Sequence, residues 1–241
     1  MGGGIDISSS AKLARSVFSG PISAAATDPR QDPGGLMPEE AAAISRAAPK
    51  RKREFAAGRL AARRAMAALG HANEPLPMAS DRTPVWPEGL VGGISHTDRI
   101  CLAVAARRES VAALGIDVEG ATALSQDLWD TVLTPSDQSL LRSFPRSERG
   151  LMAKIIFSAK ECTYKCQYAI SRKLFGFDQV DITLDIEGKR FWAVFNEAAE
   201  PFQKSDCLAG NFALDHGLIV TGMSLDANNR RVPRNEALES A

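Results

Sequence analysis

Two long stretches of helical periodicity, each set among short strand-like runs, constrain this chain more than any other feature. Lys50–Leu69 places Phe55, Ala62, Met66 and Leu69 at helical spacing and stops at Gly70. Gly150–Tyr168 is the second such segment. Gly93–His96, Ile100–Ala106 and Val111–Val118 read as strands between them. Val180–Ile186, Arg190–Phe195, Asn211–Asp215 and Leu218–Ser224 read as strands after them, parted by turn residues such as Glu187-Gly188 and His216-Gly217. Ser16–Ile22 reads as a short strand, Met37 to Glu40 as a helix start, and Gln126–Leu133 and Ser136–Ser143 as shorter helices. Strands with one long helix, then the same again, predict an α+β chain of two similar halves meeting near residue 113. The expected bounds are a disordered tail over 1–15, an N-terminal half over 16–113, a C-terminal half over 114–226 and a flexible tail over 227–241.

Lys and Arg together number 29, matching the 29 Asp and Glu, so any electrostatic signal has to be local. The four cysteines offer neither a disulfide framework nor a zinc site: Cys162 and Cys166 lie four apart with no second pair and no nearby histidine. No signal peptide is visible, and no apolar run reaches the ~18–20 residues of a membrane span. A cytoplasmic, soluble protein with reduced thiols is the expectation.

Leu114-Gly115-Ile116-Asp117-Val118-Glu119 carries the sharpest local signal. Strand alternation puts Leu114, Ile116 and Val118 on one face and projects Asp117 and Glu119 together from the other. Two carboxylates so placed repel unless a cation lies between them, and an all-oxygen donor set suits Mg²⁺ bound alongside substrate phosphates. A solvated strand edge is the alternative. In the second helix, Glu161 and Lys165 sit one turn apart in an apolar, aromatic setting of Ile155, Ile156, Phe157 and Tyr164. A partly buried pair of this kind can hold metal and move a proton; a surface ion pair is the alternative.

Arg46, Lys50, Arg51, Lys52, Arg53, Arg59, Arg63 and Arg64 make a basic stretch in which Glu54 is the only acid. Such a stretch can be a solvated helix face, a nucleic-acid surface or a clamp for a compact polyphosphate. With few aromatics to stack bases, and with Arg51 and Arg59 on one side, the compact anion fits better. His96 follows a small-residue turn, Gly92-Gly93-Ile94-Ser95, just ahead of the acidic strand, whereas His71 and His216 lie in turn-like contexts of their own. Taken without further comparison, these residues also suit a Mg²⁺-dependent phosphodiesterase or nucleotidase, or a non-catalytic phosphate- or RNA-binding protein.

Three blocks occur in order: Lys50-Arg51-Lys52-Arg53-Glu54-Phe55-Ala56-Ala57-Gly58-Arg59 with Ala62-Arg63; Pro84-Val85-Trp86-Pro87 through Gly92-Gly93-Ile94-Ser95-His96-Thr97; and Gly115-Ile116-Asp117-Val118-Glu119 followed by Phe157-Ser158-Ala159-Lys160-Glu161 with Lys165. Together they resemble the 4′-phosphopantetheinyl transferases, in the branch named for enterobactin synthetase component D. The resemblance runs from about Leu36 to about Lys173 and continues weakly through Phe212–Leu225. It implies a pseudo-twofold monomer with coenzyme A between the halves. It further implies transfer of the phosphopantetheine arm to a serine of an apo acyl, peptidyl or aryl carrier protein, with release of 3′,5′-ADP. Siderophore, polyketide or nonribosomal peptide synthesis would be the setting, with no role for nucleic acid or membrane. By the same resemblance Asp117, Glu119 and Glu161 would hold Mg²⁺. Glu161, Lys165 and Asp117 would be catalytic, and Arg51, Arg59, Arg82, Ser95, His96 and Lys165 would bind coenzyme A. Gly93 stands where the family often has serine, and Ala56-Ala57 is smaller than the bulky residue usual before the Gly-Arg pair.

Overall fold

The computed structural model describes residues 6–31 and 34–228. Strands β1 (Ile22–Thr27), β2 (Leu90–His96) and β3 (Cys101–Arg107) form one antiparallel sheet in the order β1-β3-β2. Strands β4 (Val111–Gly120), β5 (Val180–Asp185), β6 (Arg190–Phe195), β7 (Cys207–Asp215) and β8 (Leu218–Asp226) form a second, in the order β4-β8-β7-β6-β5. Helices α1 (Ile7–Ser16), α2 (Pro38–Ala43), α3 (Pro49–Ala68), α4 (Trp129–Val132), α5 (Pro135–Arg142) and α6 (Arg149–Ser171) complete the chain. The α+β architecture expected from the sequence is present, with α3 packed on the first sheet and α6 on the second. The expected division near residue 113 meets β4, which starts at Val111 and pairs with β8.

Small residues set how closely the two long helices approach. The buried face of α3 is largely Ala57, Gly58, Ala61, Ala62 and Ala65, and a Cβ on Gly58 would lie 3.2 Å from Ile94 of β2. Contact is tighter still at α6, where a Cβ on Gly115 of β4 would stand 2.1 Å from the Cys162 carbonyl oxygen. Only glycine lets strand and helix meet there. The opposite face of β4 is buried as well. Leu114, Ile116 and Val118 share a core with Leu102 and Val104 of β3 and Val220 of β8, so apolar packing joins the two sheets.

The N-terminal segment departs from expectation. In place of a tail over 1–15 and a strand over Ser16–Ile22, the structure has α1 from Ile7 and a strand that begins only at Ile22; residues 1–5 lie outside the described residues, as does the expected tail beyond Asn228. The physical reason is local and distant at once. Asp6 caps the helix by accepting the Ser8 and Ser9 N–H groups at 3.1 Å. Val17 and Phe18 then pack over Gly222 of β8, where a Cβ would meet Val17 at 2.5 Å. Because β1 joins the first sheet while Val17 rests on the second, this segment straps the halves together. Val17→Ala, which strips two methyl groups from a side chain 1% exposed, should lower unfolding free energy by about 1.5 kcal/mol in a urea titration. An unchanged midpoint would show that the strap carries no load.

Among the described residues, no helix is long and apolar enough to cross a membrane.

Candidate active site

Asp117 sits at the centre of the junction between the halves. Its strand presents Gly115, Asp117 and Glu119 toward α6, which is why α6 can lie close enough to reach the carboxylate. The Lys165 ammonium lies 2.6 Å from Asp117 Oδ1, and Ser95 of β2 donates to the same oxygen at 2.8 Å. Ser158 Oγ donates to Oδ2 at 2.8 Å and lies 2.9 Å from Thr221 Oγ1 of β8. Ser95 also accepts the Val118 N–H at 3.3 Å, pinning β2 over β4. Asp117 is 3% exposed, so its contacts with Lys165, Ser95 and Ser158 are what make a buried carboxylate tolerable.

Glu161 lies one helical turn before Lys165, its carboxylate 3.9 Å from the ammonium. Burial pushes the Glu161 carboxyl above its usual range; Lys165 opposes that, and the Asp117 and Glu119 charges add to it. Glu119 behaves alike, raised by burial and by Asp117, although Lys154 donates to it at 3.1 Å. Burial works to lower the Lys165 ammonium, but the Asp117 and Glu161 carboxylates outweigh it and hold the group above its ordinary value. Lys165 is therefore a cation at neutral pH and no base. Asp117, Glu119, Glu161 and Lys165 line one cavity of about 390 Å³ with Ile94, Ser95, His96 and Phe157.

The basic end is more varied than the sequence suggests. Arg51 of α3 donates to His96 Nε2 at 3.1 Å, which fixes that nitrogen as the acceptor. Burial and the neighbouring Arg51 charge lower the His96 pKa, keeping the ring neutral. Arg59 is buried, stacked 4.1 Å over the Phe55 ring, and its Nε has no acceptor among the described residues. Burial lowers its pKa to about 10, with Arg51 and Arg63 adding to the effect. Arg63 is spent on the buried Glu40 at 2.6 Å. Arg82, at φ 68°, stands apart from Arg51 and His96. It lines a second cavity of about 440 Å³, between the 79–86 loop, β2, β4 and α6. The two cavities share Ile94 and Lys165.

The structure brings Asp117, Glu119, Glu161, Lys165, Ser95 and His96 together, with Arg51 against His96. The sequence gave no role to Ser158, although Ser158, Glu161 and Lys165 fall at i, i+3 and i+7 and so share a helix face. Nor did it mark Thr221 or Lys154; nothing local to Thr221 announces it.

Among the described residues, no group of three or more His, Cys, Asp or Glu side chains is drawn together tightly enough to hold a metal ion. The donor set nevertheless fits a hard cation chemically. Three carboxylates face two lysines, and two of the carboxyls are held above their usual range by burial and mutual charge.

Comparison with known proteins agrees along most of the chain. Residues 39–106 match the 4′-phosphopantetheinyl transferase N-terminal domain, and residues 113–215 match the 4′-phosphopantetheinyl transferase superfamily. The chain is 33% identical to the 4′-phosphopantetheinyl transferase Svp of Streptomyces mobaraensis, over 89% of this chain and 87% of that protein. It is 30% identical to the 4′-phosphopantetheinyl transferase PptT of Mycobacterium tuberculosis, over 80% and 88% respectively. To enterobactin synthase component D of Salmonella typhimurium it is 36% identical, over 56% of this chain and 55% of that protein. With the junction of carboxylates and lysine lying inside the matched regions, this chain belongs to the 4′-phosphopantetheinyl transferase superfamily and is a transferase of that kind.

Proposed function

We propose that this protein moves the 4′-phosphopantetheine arm of coenzyme A onto a serine of an apo carrier protein, releasing 3′,5′-ADP with the help of Mg²⁺. The observation that carries this reading is the pair of joined cavities. One is walled by carboxylates and a lysine, and the other combines the apolar Trp86, Ile94, Leu114 and Tyr164 with the cationic Arg82, Arg108 and Arg172. Asp117, Glu119 and Glu161 would hold Mg²⁺, whose chemistry there is to neutralise pyrophosphate charge as a Lewis acid.

The remaining roles belong to the chain's own side chains. Arg51 and His96 would hold the nucleotide-end phosphates, and the buried Arg59 would add its positive charge to that grip. Arg82 would add to that grip from the neighbouring loop. The arm would run from Lys165 into the second cavity along Trp86, Ile94, Leu114 and Tyr164. The serine hydroxyl oxygen attacks the phosphorus that carries the arm. A new P–O bond forms, the pyrophosphate P–O bond breaks, and its electron pair leaves on 3′,5′-ADP. Glu161, one turn from Lys165 in the same cavity, takes the hydroxyl proton. Lys165, fixed by Asp117 and Ser95, donates to the phosphate oxygens as charge moves to the leaving group.

Intact-mass spectrometry of an apo carrier protein incubated with this protein, coenzyme A and Mg²⁺ tests the reading. One added arm is expected, and none with a chelator. An unmodified carrier, across several carrier types and with folded, coenzyme A-binding protein, would sink it.

A further inference from the structure

A second ammonium reaches the carboxylate junction from outside its cavity. Lys154 lies on α6 one turn before Ser158, on the face that carries Ser158, Glu161 and Lys165 at i+4, i+7 and i+11. Its Nζ donates to Glu119 Oε2 at 3.1 Å and stands 5.3 Å from the centroid of the Phe157 ring. Glu119 and Phe157 line the carboxylate cavity, whereas Lys154 is not among its lining residues. The ammonium therefore meets Glu119 from behind. Lys165 differs, since it lines the cavity itself and is held to Asp117 at 2.6 Å. Two of the three carboxylates thus each meet an ammonium of α6, and the fully ionised group keeps a single net negative charge.

We propose that Lys154 is a positioning residue that acts through Glu119: it competes with a divalent cation for that carboxylate and so holds the site's own cation affinity low. The proposal rests on the reading that Asp117, Glu119 and Glu161 hold Mg²⁺. An ammonium and a metal ion call on the same carboxylate lone pairs. A fixed positive charge beside the site also repels a second one. The Lys154 and Glu119 side chains are only 16% and 26% exposed, so water screens that repulsion in part. A site weakened in this way suits a cation that arrives with the pyrophosphate, because Mg²⁺ ordinarily takes one or two carboxylates together with substrate phosphates.

The test is the sign of a change in affinity. Mn²⁺, which also accepts all-oxygen ligands, is titrated into the full chain without coenzyme A, and the free ion is counted by electron paramagnetic resonance. Lys154→Met and Lys154→Gln should each lower the Mn²⁺ Kd by about tenfold, the scale of one nearby unit charge partly screened. Lys154→Arg keeps the charge and should leave the Kd within about twofold of the wild type. In transfer assays the Mg²⁺ concentration that gives half the maximal rate should fall in the two neutral variants. If Lys154 merely propped Glu119 in place, those variants would bind Mn²⁺ more weakly. That result, or a Kd unchanged or unmeasurable in both, overturns the proposal. Asp117→Asn separates this failure from failure of the underlying reading, because it should abolish Mn²⁺ binding. If Asp117→Asn binds Mn²⁺ as the wild type does, the cation lies elsewhere and the reading fails. If Asp117→Asn loses the ion while the neutral Lys154 variants keep the wild-type Kd, only the role of Lys154 is wrong.

Discussion

Glu161→Gln should lower kcat for arm transfer by about three orders of magnitude, within the range expected when a general base is lost, while leaving 3′,5′-ADP affinity within a few-fold. The substitution keeps the side chain's shape and its place on α6 but removes the charge and the basic oxygen. Lys165 retains its main partner, Asp117 at 2.6 Å, since Glu161 stands only at 3.9 Å. Asp117 keeps Ser95 and Ser158, so the frame of the site should survive. Single-turnover transfer, read by intact mass, separates chemistry from product release. The same experiment repeated over rising Mg²⁺ decides between two roles. If the base has been removed, no concentration restores the rate. Recovery toward the wild-type rate would mean that Glu161 serves only as a metal ligand and that the proton leaves by another route.

The site was more legible than the frame around it, for physical reasons. Alternation over Leu114–Glu119 fixes which side chains share a face whatever surrounds the strand, and a one-turn spacing fixes Glu161 beside Lys165. What periodicity cannot supply is the partner across the gap. Asp117 depends on Ser158 and Thr221, residues brought to it by α6 and β8. The Gly- and Ser-rich start resembles a frayed tail by composition, yet Asp6 caps a helix whose Val17 and Phe18 find their place on Gly222, almost the whole chain away. Strand β1 is half alanine, a weak strand former, and exists because β3 pairs with it through Ile22–Thr27. The basic stretch was visible as charge, but sequence could not tell the exposed Arg51 from the buried Arg59, or see that Arg63 is committed to Glu40.

Lys160 makes the same point with a larger consequence. It adjoins Glu161 in the third motif block, where the sequence gave it no role. In the structure it is 1% exposed and points away into the second core, 2.5 Å from Asp137 of α5. It also donates to the Phe177 carbonyl at 2.7 Å. Asp137, fully buried, accepts the Thr134 N–H at 2.8 Å and the Ile182 N–H at 2.9 Å. One carboxylate thus ties α5, α6 and β5 together behind the site. Asp137→Ala should cost about 3–5 kcal/mol, because it strands a buried ammonium and orphans two backbone donors. Its pH dependence should carry a sign. Burial already lowers the Lys160 pKa, with Asp137 opposing, and without the carboxylate it falls further. A folded-state pKa below the unfolded one means that the unfolded chain binds more protons between the two values, so stability rises with pH across that window. The window should reach to lower pH in Asp137→Ala than in the wild type. Asp137→Leu with Lys160→Met removes both charges and should recover most of the loss in denaturant titrations. If the double variant is as unstable as the single, the cost lies in the orphaned Thr134 and Ile182 groups rather than in the stranded charge. Arm transfer should follow the same order, since α6 cannot aim Glu161 once the residue beside it has lost its anchor.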